Sequence, residues 1–256
     1  MDFGLKDKVA LITGGARGIG FADARALGAE GARIAIVDID PEATSQAIAT
    51  LTAQGIEAYS WIGDATNEET VLRIVSDCCA RLGRLDILVN NAGIGVKPAY
   101  KIQEMPVSAW DGMIQSHMRS TFLWSRAVIG PMYQNHFGRI INMSSMNFTG
   151  GGRPGVSHYA AAKAGIQGFT QTLAKEVGRG GITANALAPG YVETELIAQF
   201  SQEMRQLLAD QNPVGRTCKP EEVAALVTFL CSTQAGFING ELICLDGGRR
   251  DYFWGN

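Results

Sequence analysis

The sequence predicts an α/β protein built on a doubly wound parallel sheet of about seven strands, with helices on both faces. Short apolar segments alternate along the chain with longer segments of helical composition, which is typical of right-handed βαβ units. A glycine-rich turn joins the first apolar segment to the first helix. Because no linker-like stretch divides the chain, we expect a single domain over residues 1–256.

Local signals place the individual elements. Gly31 stops the first helix, Pro41 opens the second and Asn67 caps the third. The Gly130–Pro131 pair predicts a kink in the longest helix. The predicted strands are residues 8–13, 32–38, 57–62, 85–90, 139–143, 182–187 and 241–245, and the predicted helices are 21–30, 41–54, 67–81, 107–135, 159–177 and 220–231.

Composition excludes several classes of protein. A net charge of −3 without a basic block disfavours nucleic-acid or anionic-membrane binding. The longest apolar run falls short of the ~18 residues that span a membrane, and the N-terminus does not resemble a signal peptide. Five scattered cysteines without a C-x-x-C pair and three unclustered histidines predict neither disulfides nor a metal site. We therefore expect a cytoplasmic protein without a metal.

One helical pair suggests chemistry. Tyr159 and Lys163 lie four residues apart in an alanine-rich run, so a helix would place both on one face. The lysine charge favours a phenolate, and we expect the pKa of Tyr159 to fall below its free value of ~10. Such a phenol suits general acid–base catalysis on a C–OH/C=O pair. An isolated pair of this kind is more often an exposed surface pair, so the interpretation depends on the other motifs.

The glycine-rich turn predicts a dinucleotide site. Gly14, Gly18 and Gly20 let the backbone approach a phosphate between a strand and a helix, and the helix N-terminus offers free N–H groups. Asp38 ends the second strand, where a carboxylate binds ribose hydroxyls and repels a 2′-phosphate.

The expected cofactor is therefore NAD. Ile39 offers a phosphate no cation, whereas Arg17 within the glycine turn could reach one and keeps NADP open.

Polar or turn residues also follow the other strands, at what would be the carboxyl edge of a parallel sheet, where ligands bind. The six positions at this edge are Gly14, Asp38, Asp64, Asn90, Ser145 and Pro189.

These motifs together resemble the short-chain dehydrogenase/reductase superfamily over about residues 5–248. The resemblance implies a Rossmann-like fold and hydride transfer between a nicotinamide cofactor and a secondary alcohol or ketone. The matching motifs are Thr13-Gly14-x-x-x-Gly18-x-Gly20, Asn90-Asn91-Ala92-Gly93, Ser145, Tyr159-x-x-x-Lys163, Pro189-Gly190 and Asp246-Gly247-Gly248.

The resemblance also implies roles for single residues. Tyr159 would be the general acid/base, Lys163 would lower its pKa and bind the nicotinamide ribose, and Ser145 would hold the substrate oxygen. Asn90 and Gly93 would line the adenosine ribose and stiffen the fourth strand. The implied cofactor-binding residues are Gly14, Arg17, Gly18, Ile19, Gly20, Asp38, Ile39, Asp64, Ala65, Asn91, Ala92, Gly93, Tyr159, Lys163, Pro189, Gly190, Val192 and Thr194.

Three positions depart from the family pattern. His117 stands where relatives carry an Asn that anchors a proton-relay water, so we expect activity but leave the relay open; a packed helix residue is the alternative. The Ser–Tyr spacing is one residue longer than usual, with Ser144 as the alternative serine and residues 150–152, all glycine, absorbing the insertion. Cys218 replaces a common glycine, and we expect a buried structural thiol.

The substrate is less defined. An apolar pocket wall suits a hydrophobic or moderately polar alcohol or ketone, and Arg153 could bind an anion but is more often solvated as a loop residue. Residues 190–213 resemble a mobile lid. The wall candidates are Met146, Asn147, Phe148, Arg153, Tyr191, Leu196, Phe200, Met204 and Leu207.

Two other functions stay open at this point: reduction of a carrier-bound 3-oxoacyl group, and a non-catalytic dinucleotide-binding sensor. The resemblance also implies a homotetramer. We expect the aromatic C-terminal tail, residues 249–256, to pack at an interface or over a neighbouring site.

Overall fold

The computed structural model describes residues 2–149 and 152–248 and contains a parallel sheet of seven strands. The strand order is β3-β2-β1-β4-β5-β6-β7, which confirms the predicted doubly wound α/β fold. The strands are β1 (Val9–Thr13), β2 (Arg33–Asp38), β3 (Ala58–Ile62), β4 (Ile87–Asn90), β5 (Gly138–Met143), β6 (Ile182–Pro189) and β7 (Leu242–Leu245).

Three predictions concern parts of the chain outside this description. They are the insertion at residues 150 and 151, the aromatic tail 249–256, and the side chain of Leu196.

Helices cover both faces of the sheet, so β1, β4, β5 and β6 are buried throughout. One apolar core lies between the sheet and α1, α2 and α9, and a second lies between the opposite face and α3, α5 and α6. The helices are α1 (Gly18–Ala29), α2 (Pro41–Ala53), α3 (Glu68–Leu82), α4 (Val107–Ile114), α5 (Ser120–Gln134), α6 (Ser157–Val177), α7 (Glu195–Ala198), α8 (Gln202–Asp210) and α9 (Pro220–Cys231).

The predicted helix boundaries have clear physical causes. The Asn67 side chain accepts a hydrogen bond from the backbone N–H of Thr70 at 2.9 Å and so caps α3. Pro41 opens α2 beneath an Asp40 cap. Gly31 follows α1 with a φ of 85°, in the left-handed region that favours glycine. These three boundaries are confirmed.

The long helix predicted over 107–135 is wrong in one respect. The α-helical pattern changes at Gln115–Arg119, which form a π-helical turn between α4 and α5, whereas α5 continues through Pro131. Because a π-helical turn accommodates an extra residue, it resets which side chains face the sheet beyond it. His117 lies in this turn and is buried. No helix within the described ranges is long and apolar enough to cross a membrane.

Candidate active site

A cleft with a volume of about 630 Å³ opens at the carboxyl edge of the sheet. It contains all four residues predicted to be catalytic and part of the predicted cofactor set. The predicted residues that line it are Ile19, Asn91, Gly93, His117, Ser145, Tyr159, Lys163, Pro189, Gly190, Val192 and Thr194.

Ser145 and Tyr159 meet in this cleft. Ser145 lies two residues after Met143, the last residue of β5. Its hydroxyl accepts a hydrogen bond from the Asn147 backbone N–H at 3.2 Å. Tyr159 lines the same cleft, and the Ser145 side chain lowers its pKa. The alternative residue, Ser144, donates its hydroxyl to the Lys163 carbonyl at 2.8 Å. The geometry therefore favours Ser145 as the serine that faces a substrate.

Lys163 is buried one helical turn beyond Tyr159. Its Nζ donates to the Met143 carbonyl at 2.6 Å and lies 5.6 Å from the centre of the Tyr159 ring. Burial lowers the pKa of Lys163 to about 7. A buried ammonium loses hydration that a single carbonyl only partly replaces, which explains the direction of this shift.

The predicted fall in the pKa of Tyr159 is wrong. Burial raises the pKa of Tyr159, and the Ser145 side chain offsets this rise only in part. Although part of the ring is exposed to the cleft, the cost of desolvating a phenolate exceeds the benefit of a lysine that is itself readily neutralised. The sequence revealed the lysine but not the depth at which both groups lie.

His117 packs against the catalytic tyrosine. Its ring meets the Tyr159 ring edge-on, with centres 5.3 Å apart. Nε2 lies 3.1 Å from the Ile94 carbonyl and donates to it, which leaves Nδ1 as a buried acceptor with no hydrogen-bond partner among residues 2–149 and 152–248. Burial, together with the nearby Lys163 charge, lowers the pKa of His117 to about 2. The side chain is therefore neutral and positions its neighbours without a charge.

Gly93 is shaped by this histidine. A Cβ atom on Gly93 would lie 2.2 Å from Cε1 and 2.5 Å from Nδ1 of His117, far inside van der Waals contact. The loop after β4 can pass the histidine ring only because residue 93 has no side chain.

The glycine-rich turn fits a dinucleotide. The N-terminus of α1 begins after Arg17 without a side-chain cap, and its first turn has no acidic residue. Its N–H groups and positive dipole end are therefore available to a pyrophosphate. A Cβ on Gly20 would lie 2.3 Å from the Gly14 carbonyl oxygen, so the turn requires glycine there.

Asp38 and Arg17 lie beside this turn. The Asp38 carboxylate accepts from the backbone N–H groups of Ala16 and Asp40, both at 3.2 Å, and keeps acceptor capacity for ribose hydroxyls. Arg17 forms a 2.6 Å ion pair with Asp40 and lies 3.9 Å from Glu195. The guanidinium is thus already engaged by carboxylates.

Asn91 joins the glycine turn to the loop after β4. Its side-chain amide donates to the carbonyls of Thr13 at 3.2 Å and Gly14 at 2.9 Å. The Thr13 hydroxyl accepts from the backbone N–H groups of Asn91 and Ala92, both at 3.1 Å. The two segments that would enclose a dinucleotide are therefore bonded to each other.

Asn90 has a different position from the one implied by the resemblance. Its side chain is buried and donates to Asn142 at 2.8 Å and to Ser125 at 3.1 Å. Asn142 in turn donates to Thr170 at 2.8 Å. This polar network ties β4 and β5 to the helices and stiffens β4, whereas the Asn90 side chain does not line the cleft.

Other predicted cofactor residues lie beside the cleft and not in its wall. Ile39 is 68% exposed. Asp64 accepts from the hydroxyl and backbone N–H of Thr66 at 2.8 Å, and the Ala65 carbonyl accepts from Trp124 at 3.2 Å. The remaining members of this group are Gly14, Arg17, Gly18, Gly20, Asp38 and Ala92.

Cys218 is half-buried, so the prediction of a buried thiol is wrong in degree. Desolvation, with a smaller contribution from Glu222, raises its pKa to about 11 and keeps it unreactive.

The loop after β4 contributes wall residues that no motif indicated. Ile94, Val96 and Lys97 line the cleft opposite the segment that carries Phe200. A loop without a repeated pattern gives no sign of which side chains turn inward. Hydrogen bonds from His117 to the Ile94 carbonyl, at 3.1 Å, and from the Tyr100 N–H to the Gly155 carbonyl, at 3.0 Å, fix its course.

Comparison with known proteins supports the same interpretation. A family model described as enoyl-(acyl carrier protein) reductase matches residues 14–250. The chain belongs to the short-chain dehydrogenase/reductase family. It is therefore an oxidoreductase that acts on an alcohol or ketone group with NAD or NADP.

Individual relatives cover nearly the whole chain. The hydroxy(phenyl)methylsuccinyl-CoA dehydrogenase subunit BbsD of Thauera aromatica is 36% identical over 246 residues, which are 96% of this chain and 98% of the relative. The 3-oxoacyl-acyl-carrier-protein reductase of Aquifex aeolicus is 37% identical over 251 residues, 97% and 99% of the two chains. The solved structure of a Serratia marcescens short-chain dehydrogenase/reductase mutant has a TM-score of 0.90 and 32% identity and covers 96% and 99%.

Proposed function

We propose that this enzyme interconverts a secondary alcohol and its ketone with Tyr159 as the general acid/base. The observation that carries the proposal is the placement of Ser145, Tyr159 and Lys163 in the wall of one cleft, where the Ser145 side chain lowers the pKa of Tyr159. A substrate oxygen placed beside Ser145 and Tyr159 could accept a hydrogen bond from each hydroxyl. Tyr159 could also exchange a proton with it, whereas Ser145 would only orient it.

Each residue has a defined part in the proposed reaction. Ser145 holds the substrate oxygen and polarises the C–O bond. Tyr159 takes the hydroxyl proton during oxidation and returns it during reduction. When bound, the nicotinamide accepts or supplies the hydride. A charged Lys163 favours the phenolate form of Tyr159. Because burial lowers the pKa of Lys163 to about 7, polar groups that enter the cleft would change the fraction of Lys163 that is charged.

We propose NAD as the preferred cofactor. Asp38 presents a carboxylate at the end of β2, where a 2′-phosphate would be repelled. Arg17 is the residue that kept NADP open, and its ion pair with Asp40 at 2.6 Å opposes that use. The predicted phosphate contacts are the uncapped N-terminus of α1 and Thr194, which lies against Gly18.

The test is a panel of secondary alcohols and ketones assayed with NAD(H) and NADP(H) in parallel by nicotinamide absorbance. Tyr159→Phe should lower kcat by about 10²–10⁴-fold while NADH binding, measured by fluorescence, persists. Tyr133→Phe, on the exposed face of α5, is the matched control and should keep full activity. A Tyr159→Phe enzyme with unchanged kcat would refute the assignment.

A second candidate is reduction of a 3-oxoacyl thioester. Two relatives, one named for an acyl-CoA substrate and one for an acyl-carrier substrate, favour it. The reaction at the carbonyl would be the same, so acetoacetyl-CoA belongs in the panel. A kcat/KM for it far above those of simple ketones would select this alternative.

We also propose that the chain is one domain, that residues 190–213 close over the cleft as a lid, and that it assembles as a homotetramer in the cytoplasm. Phe122 is 44% exposed on α5 and meets Phe169 of α6, which offers an apolar surface for a second subunit. Light scattering coupled to gel filtration tests the assembly.

A further inference from the structure

The acidic and basic side chains that line the cleft, among the residues that the structure describes, are all basic. Lys97, Arg153 and Lys163 are the Lys and Arg side chains of its wall, and no Asp or Glu within the described residues lines it. The whole chain carries a net charge of −3. A cleft with only cationic groups on an otherwise acidic protein concentrates anions.

Two loops bring Lys97 and Arg153 to the same cleft. The backbone N–H of Tyr100 donates to the Gly155 carbonyl at 3.0 Å. A Cβ on Gly155 would lie 3.1 Å from the Cβ of Ala99, and Gly155 has a φ of 91°. The two loops that carry these cations are thus in contact at Ala99, Tyr100 and Gly155.

Lys97 is not neutralised by a carboxylate. Its Nζ lies 5.5 Å from the centre of the Phe200 ring, and it forms no ion pair with any residue in the ranges 2–149 and 152–248. Arg17, which lies at the glycine-rich turn, has Asp40 as its carboxylate partner. The ammonium at the substrate side of the cleft is therefore available to an anion.

We infer that Lys97 and Arg153 bind an anionic group of the substrate, so that the substrate is a hydroxy or oxo compound that carries a negative charge away from the reacting carbon. This inference rests on the proposed function, because it takes Ser145 and Tyr159 as the partners of the reacting oxygen. The shared chemistry is an oxyanion, supplied either by a carboxylate or by the phosphates of a CoA thioester.

The test compares matched charged and neutral substrates. One pair is 3-hydroxybutyrate and 3-hydroxybutyramide; the other is acetoacetyl-CoA and acetoacetyl-N-acetylcysteamine. For the charged member of the preferred pair, Lys97→Ala and Arg153→Ala should each lower kcat/KM by about tenfold or more, mainly through KM. For the neutral member, the change should stay within about twofold.

Matched control variants are Lys101→Ala and Arg179→Ala, which remove exposed cations outside the cleft and should leave all four substrates unaffected. A selective loss in the hydroxybutyrate pair assigns a carboxylate, and one confined to the CoA pair assigns the phosphates.

Two results would overturn the inference while the proposed function stands. One is a wild-type kcat/KM for each neutral substrate that equals or exceeds that of its charged partner. The other is an equal loss on charged and neutral substrates in both variants. Absence of turnover with every alcohol and ketone would instead contradict the proposed function and the inference together.

Discussion

Gly93→Ala is expected to destabilise the protein through a single contact, the His117 ring. The new methyl group would lie 2.2 Å from Cε1, more than an ångström inside an ordinary contact. His117 is 3% exposed, and its Nε2 is hydrogen-bonded to the Ile94 carbonyl at 3.1 Å. The ring can therefore move only by breaking that bond or by pushing on Tyr159.

The expected cost combines overpacking of about 1–3 kcal/mol with the loss of one hydrogen bond of about 0.5–1.5 kcal/mol. A loss of roughly 2–4 kcal/mol in the free energy of unfolding should follow, and kcat should fall because the Tyr159 ring is displaced. Urea denaturation and steady-state kinetics measure the two effects. Since Gly93 has no positive φ, backbone strain adds nothing to this sum.

The double variant Gly93→Ala/His117→Ala separates the steric cause from others. Removing the ring makes room for the methyl group, so the double variant should be more stable than the sum of the single effects predicts, with a coupling of about 1–3 kcal/mol. Gly112→Ala, at a helical glycine whose Cβ would meet no atom within 4 Å, is the control and should be neutral or stabilising. Additive effects in the double variant would refute the reasoning.

Three further predictions concern charge. Asp38→Ala should raise the kcat/KM ratio of NADP to NAD by about tenfold or more, and an unchanged ratio would contradict its role. Burial raises the pKa of Asp23, whose carboxyl oxygens have no hydrogen-bond partner in the described part of the chain. The folded state then holds a proton that the unfolded state releases above pH ~4, so stability falls as pH rises through the window up to the folded pKa. Asp23→Asn should flatten this fall in melting temperature between pH 5 and 8, by about 2 °C or more, and equal slopes would argue against it. Burial holds the pKa of His117 near 2, so His117→Asn should leave the pH–rate profile between pH 5 and 9 unshifted.

The sequence was most informative where a local rule decides the structure. Asn67 and Gly31 mark helix boundaries because capping and left-handed backbone depend on residue type at one position. The four-residue spacing of Tyr159 and Lys163 likewise determines their common helix face. The polar strand ends could be assigned to one edge because every strand of the sheet is parallel.

What the sequence could not reveal depends on packing. The π-helical turn at Gln115–Arg119 leaves no mark in the apolar periodicity, since the hydrogen bonds that define it are set by what α4 and α5 pack against. The direction of the Tyr159 pKa shift required the depth of burial, which spacing does not give. No sequence motif marks Lys97, because its loop resembles none and is placed at the cleft by contacts with His117 and with the loop of Gly155.

The Asn91 amide fastens the turn beneath the expected pyrophosphate to the start of the loop that carries Lys97. A displacement of the turn would therefore move the loop, and a displacement of the loop would move the turn. If bound coenzyme raises the affinity for substrate, bound substrate must raise the affinity for coenzyme by the same factor. Removing these hydrogen bonds, as in Asn91→Ala, would weaken the binding of both coenzyme and substrate. It would also reduce the increase in affinity that each gives the other.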